Sequence, residues 1–230
     1  LAAYFSEYGL MRYRLKVEIK YLLAFLAHLA KEFPGQYDNL VALDLASLQK
    51  IYSEKRFTLE EAEKVKAHEK VTNHDVKAIE YYLKDHIKVL AESEPLWNKV
   101  IEYIHFGLTS QDINNIAIPL LLKDSMKVYH QSLEGLISDL KLLSQETFDV
   151  AMLARTHGQP ATPTTVGKEL YVWVYRLQKQ IELLNGVPMS GKFGGATGQF
   201  NAHAIAFPSV DWVSFADQFI ESLGLTRELW

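Results

Sequence analysis

Between Thr109 and Thr147 the sequence carries its longest periodic pattern, with Ile113, Ile116, Leu120, Leu121, Tyr129, Leu133, Leu136, Ile137, Leu140 and Leu143 recurring at helical spacing. If continuous, such a helix extends on the order of 50 Å, with Pro119 expected to kink it near its start. Its apolar stripe suits a bundle of long helices.

The other periodic segments agree. Tyr8, Leu15, Ile19, Leu22, Leu23, Leu26 and Leu29 predict a first helix from Phe5 to Phe33, stopped by Pro34-Gly35. A second run covers Leu40 to Tyr52. Thr58 with Glu61 reads as a capping box before a third helix ending near Lys70. Val76 to Leu90 predicts a fourth, for which Asn73 or Asp75 offers the cap, and a short helix follows Ser93 and Pro95 and ends at Gly107. Thr165 to Leu184 predicts another, with Leu170, Trp173, Val174, Leu177, Ile181 and Leu184 inward, and Asp211 to Leu223 the last. No strand series, repeat or low-complexity tract stands out, so the expected class is all-α, with long bundle helices.

Composition removes several function classes. Lysine and arginine total 24 against 28 acids, a net charge of −4, which is no nucleic-acid footprint. The absence of cysteine excludes disulfides, thiolate zinc sites and cysteine nucleophiles. The longest apolar run, Tyr21 to Ala30, is too short to span a membrane. Gly186 to Lys192 spells G-x-x-x-x-G-K, but Phe193 stands where a phosphate loop needs Ser or Thr; His68-Glu69 starts like a zincin, yet Thr72 replaces the second histidine.

Polar side chains gather instead at three helix boundaries. Asn73-His74-Asp75 and Thr109-Ser110 each precede a helix; either set can be a cap alone, and the hydroxyls and amides of the second can also receive an anion. Between two helices, Arg155-Thr156-His157-Gly158-Gln159-Pro160 places an imidazole beside a glycine that permits positive φ and a proline that fixes it. Such a rigid histidine can act as general acid or base near neutral pH. A glycine-dense loop, Gly191-Lys192-Phe193-Gly194-Gly195-Ala196-Thr197-Gly198, completes the set.

Together, Thr72 to Ala78, His105 to Asn115, Arg155 to Pro163 and Gly191 to Gly198 resemble, in order, the motifs of the adenylosuccinate lyase family, especially its bacterial form, and the resemblance runs from Phe5 to Gly224. It implies the fumarase/aspartase type of fold: an N-terminal helical domain over 1–108 and the first part of a central helical bundle over 109–230, with the rest of that bundle and a C-terminal domain absent. It also implies a cytoplasmic homotetramer with shared active sites and no metal or organic cofactor. The reaction would be β-elimination of fumarate from adenylosuccinate, giving AMP, and from the succinyl-carboxamide ribotide SAICAR, giving AICAR.

By matching positions, His157 would protonate the leaving nitrogen. Thr109 and Ser110 would hold the succinyl part, and Asn73, His74 and Asp75 would meet the substrate near its nucleotide portion. His105 would line the pocket, and Lys192 receives no role. The family's N-terminal Arg-Tyr pair and its serine-base loop have no counterpart in these 230 residues, so the chain by itself is expected to be inactive. Argininosuccinate lyase, another superfamily member, or an inactive helical oligomerisation module are the competing readings.

Overall fold

The computed structural model describes residues 1–229. Helices dominate it: α1 (Glu7–Glu32), α2 (Asp38–Val41), α3 (Leu59–Thr72), α4 (Asp75–Ser93), α5 (Trp97–Ile101), α6 (Ser110–Glu146), α7 (Val166–Asn185), α8 (Asn201–Ala206) and α9 (Trp212–Ser222). The mostly helical class expected from periodicity is what the chain adopts. It divides into two compact units, residues 1–123 with 189–230, and residues 124–188.

In the first unit α1 is buried along most of its length and presents two apolar faces. One face, through Leu15, Ile19, Leu22 and Leu26, packs with α3, α4 and α5. The other, through Val17, Tyr21, Phe25 and Leu29, packs with the start of α6, Phe193 and α9. Ser6 caps α1 by accepting from the Gly9 amide. The run from Leu40 to Tyr52 is not one α-helix; it forms α2 and a 3₁₀ segment, Leu45–Lys50. Asp44 is the reason, because its carboxylate accepts from the Ser47 amide and offers the backbone a local alternative to continued α-helix.

Two cap assignments also change. Thr58 makes no side-chain cap bond to α3; Glu61, the expected box partner, is bonded instead to Lys64 and to the Tyr82 hydroxyl. α4 is capped neither by Asn73 nor by Asp75 but by His74, whose Nδ1 accepts from the Lys77 amide at 3.1 Å. α6 is assigned as helix straight through Pro119.

In the second unit, the segment read as a loop around His157 is an antiparallel hairpin, β1 (Ala151–Thr156) and β2 (Gln159–Thr165). Thr156 pairs with Gln159, leaving His157 and Gly158 as the two turn residues. Their φ values of 49° and 79° are both positive, as a type I′ hairpin turn requires. Trp173, expected inward on α7, is 56% exposed, whereas its neighbour Val174 is fully buried. Exposed Tyr171, Tyr175 and Leu183 accompany it. A short parallel pair, β3 (Ser190–Lys192) with β4 (Thr226–Glu228), belongs to the first unit.

Candidate functional site

The corner between α3 and α4 carries the first group of expected site residues. Asn73 adopts the left-handed conformation, φ 52°, that terminates α3. His74 follows in extended geometry and opens α4. With Nδ1 accepting from the Lys77 amide, the proton of a neutral His74 lies on Nε2. Asp75, half exposed, accepts from the Val76 amide through Oδ1 and pairs through Oδ2 with Arg14 at 2.7 Å. Burial opposes its charge, but the Arg14 guanidinium and these hydrogen bonds outweigh it and hold its carboxyl below the usual range.

Arg14 makes the connection to the second group. Its Nε donates to Asn114 Oδ1 at 2.9 Å, so one guanidinium on α1 ties the Asn73-His74-Asp75 corner to the first turns of α6. Thr109 and Ser110 stand there, half-buried. Below them lies Asp112, fully buried, whose Oδ2 accepts from the amides of Thr109 and Gly195 at 3.0 Å. Its Oδ1 accepts from the Gly194 amide and from Lys192 Nζ at 3.2 and 3.3 Å. Lys192 also donates to the Gly195 carbonyl. The glycine loop is thus held against the helix start by one carboxylate, and Lys192 serves that junction.

His105 and Gly107 shape the turn leading into Thr109; both have positive φ, 58° and 68°. The His105 Nδ1 lies 2.5 Å from Oε1 of Glu18, which is fully buried on α1, while the other carboxylate oxygen has no partner among the described residues. Burial lowers the basicity of His105, but Glu18 more than compensates, so its pKa is raised. Gly107 is required sterically as well, because a Cβ there would collide with the ring of His203.

His203 is fully buried among Tyr21, Phe25, Phe106, Phe193 and Trp212. The Tyr21 hydroxyl donates to the Phe106 carbonyl at 2.7 Å, so its oxygen accepts from His203 Nε2–H, also at 2.7 Å. Nδ1 is left without a partner among the described residues. Burial pushes the pKa of His203 down to about 4, and the ring is neutral at pH 7. It is a structural prop for the turn that presents Thr109.

His157, in the second unit, is exposed at its hairpin tip. Asp112, Arg14 and Glu18 were not singled out by spacing. A signal existed: Arg12, Arg14 and Glu18 interrupt a helix that is otherwise buried all round, and charges so placed require partners.

The first unit thus gathers its polar groups at helix starts, around a buried carboxylate and a constrained turn. The family model described as a lyase matches residues 1–228, and the chain belongs to that family. Within it, the chain is similar to adenylosuccinate lyases: it is 45% identical over 227 residues to that of Dictyostelium discoideum, covering 97% of this chain and 47% of the relative. With that of Escherichia coli K12 it shares 42% over 234 residues, covering 98% and 48%. The chain therefore spans about half the length of the curated relatives it matches.

Among solved structures, a fumarate lyase from Mesorhizobium sp. BNC1 superposes with a TM-score of 0.74 at 20% identity, covering 97% of this chain and 47% of that one. A 3-carboxy-cis,cis-muconate lactonizing enzyme from Pseudomonas putida gives 0.70 at 24%, covering the same shares. At these identities the likeness concerns the fold, which is the long-helix fold expected. Among the described residues no helix is long and apolar enough to cross a membrane.

Proposed function

We propose that the protein containing this chain is an adenylosuccinate lyase of purine nucleotide biosynthesis, releasing fumarate from adenylosuccinate and from SAICAR. The observation that carries the reading is the 45% identity over 227 residues with a relative of that name. The arrangement in the first unit supports it, since a succinyl carboxylate can be received by hydroxyls and amides at the start of α6.

In the reaction a base takes the proton from the carbon beside a succinyl carboxylate. The electron pair left behind forms the new carbon–carbon double bond as the C–N bond breaks, and an acid protonates the departing nitrogen. His157 is assigned the acid role; the type I′ turn fixes its backbone while leaving the imidazole exposed. Thr109 and Ser110 hold the succinyl part, and Asn73, His74 and Asp75 the nucleotide side. The base belongs to the family's serine loop, which lies outside these 230 residues.

The exposed apolar side chains of α7, Trp173 and Tyr175 among them, support assembly with further copies, and the proposed assembly is a cytoplasmic homotetramer with shared sites. The division into an N-terminal domain over 1–108 and a bundle domain from 109 onward belongs to this reading. The test is fumarate release by the whole protein with adenylosuccinate, argininosuccinate and aspartate offered separately. Release from adenylosuccinate alone is expected; a folded oligomer that releases fumarate from none of them refutes the assignment.

A further inference from the structure

Away from the groups described above, the first unit contains a cavity of about 540 Å³ between the 3₁₀ segment, the start of α3 and one stripe of α4. This is within the range of small-molecule sites. Its walls are largely apolar, from Leu48, Ile51, Val89 and Leu90.

The charges at the cavity are unequal. Glu61 is its one acid, and that carboxylate is already compensated: Oε1 accepts from Lys64 at 2.6 Å and Oε2 from the Tyr82 hydroxyl at 2.7 Å. His86 packs edge-on against Tyr82 and is kept neutral at pH 7, burial lowering its pKa against the pull of Glu61. Lys50 and Arg56 also line the cavity, and neither side chain has a hydrogen-bond or ion-pair partner among the described residues. An apolar chamber with two uncompensated cations at its edge is complementary to an amphiphilic anion. Water alone solvates the cations but not the walls.

We propose that this cavity is a second ligand site, taking a small organic anion whose flat apolar body lies against Leu48, Ile51 and Leu90 and whose acid head meets Arg56 and Lys50. An arginine fork suits either a carboxylate or a phosphate, so the two heads share one chemistry here. The inference is independent of the lyase reading. None of its residues belongs to the groups assigned to catalysis or substrate binding.

Calorimetric titration of the whole protein with 2-naphthoate tests it. One saturable site per chain is expected. Combined Lys50→Gln and Arg56→Gln substitution should weaken binding by about tenfold or more, the loss of a charge-assisted contact, and neutral 2-naphthalenemethanol should bind more weakly by a similar factor. Val89→Trp should remove binding by filling the chamber, and since Val89 is 64% exposed the larger side chain does not disturb the core. Lys70→Gln, an exposed cation that does not line the cavity, should leave affinity unchanged. Tighter binding of 2-naphthyl phosphate than of 2-naphthoate would make the head a phosphate, weaker binding a carboxylate. Absence of saturable heat, equal affinity for the neutral probe, or undiminished binding by folded Val89→Trp would overturn the proposal.

Discussion

Glu18 holds His105: a fully buried carboxylate on α1 accepts from, or ion-pairs with, Nδ1 of an imidazole in a left-handed turn, at 2.5 Å. Because the pair is formed only in the folded chain, the raised pKa of His105 makes stability depend on pH. The contribution is full below about 6.5, the unfolded value, and is lost as pH rises through the higher folded value. Glu18→Gln should lower the His105 titration midpoint, read from its ring proton resonances. Glu18→Ala should cost on the order of 2 kcal/mol, less than a fully buried permanent ion pair, because the imidazolium can release its proton. An unmoved midpoint in Glu18→Gln would show that the pair does not set the charge of His105.

Asp112→Ala should destabilise the first unit by about 3–5 kcal/mol, because it strands Lys192 and the Thr109, Gly194 and Gly195 amides together. Denaturant unfolding measures this directly. On the proposed lyase reading, the same change in the whole protein should raise KM, since the helix start at Thr109 and the glycine loop lose their common anchor. Loss of kcat with unchanged stability would instead place Asp112 in the chemistry.

His203 gives the opposite pH dependence from His105. Its folded pKa of about 4 lies below the unfolded 6.5, so the unfolded chain binds the extra proton between these values; stability is full above about pH 6.5 and falls as pH drops toward 4. A loss on the order of 2 kcal/mol between pH 6.5 and 5 is expected from this group, measured as a shift in urea midpoint. His203→Phe should flatten that part of the profile. An equally steep profile in the variant would assign the acid sensitivity elsewhere.

Gly107→Ala should be among the most damaging single-methyl additions, because the new Cβ meets the His203 ring and the residue sits at φ 68°. A cost of roughly 2–4 kcal/mol combines overpacking with left-handed strain. Pairing it with His203→Ala should recover the overpacking part but not the strain, and a double-mutant cycle in thermal unfolding separates the two. Full additivity would mean that ring and turn are not coupled.

If His157 is the proton donor proposed above, His157→Ala in the whole protein should lower kcat by at least about 100-fold, the lower end of general-acid contributions, with oligomeric state unchanged. His157 is exposed within this chain, so its removal should leave stability nearly unaltered. Gly158→Ala, at φ 79°, should instead destabilise the hairpin by about 1 kcal/mol and disturb activity through the position of its neighbour. A rate loss well under 100-fold for His157→Ala would demote it from proton donor.

The sequence by itself determined the long helices and most of their ends, because period, prolines and caps act over a few residues: α1, α6, α7 and α9 fall within a few residues of where Leu, Ile and Val recurrence puts them. It also marked the polar corners at Asn73 to Asp75, Thr109-Ser110 and His157 as places where chemistry could sit. The hairpin under His157 escaped the periodic reading because its strand residues are mostly exposed, and without a buried face there is no clean alternation to detect. Only the tertiary structure decided that Arg14 would join Asp75 to Asn114, that Asp112 would receive a loop 82 residues away, and that a buried His203 would prop Gly107. Those contacts join residues far apart in the sequence. Their partners are selected by which helix faces meet, and no local pattern in the chain encodes that choice.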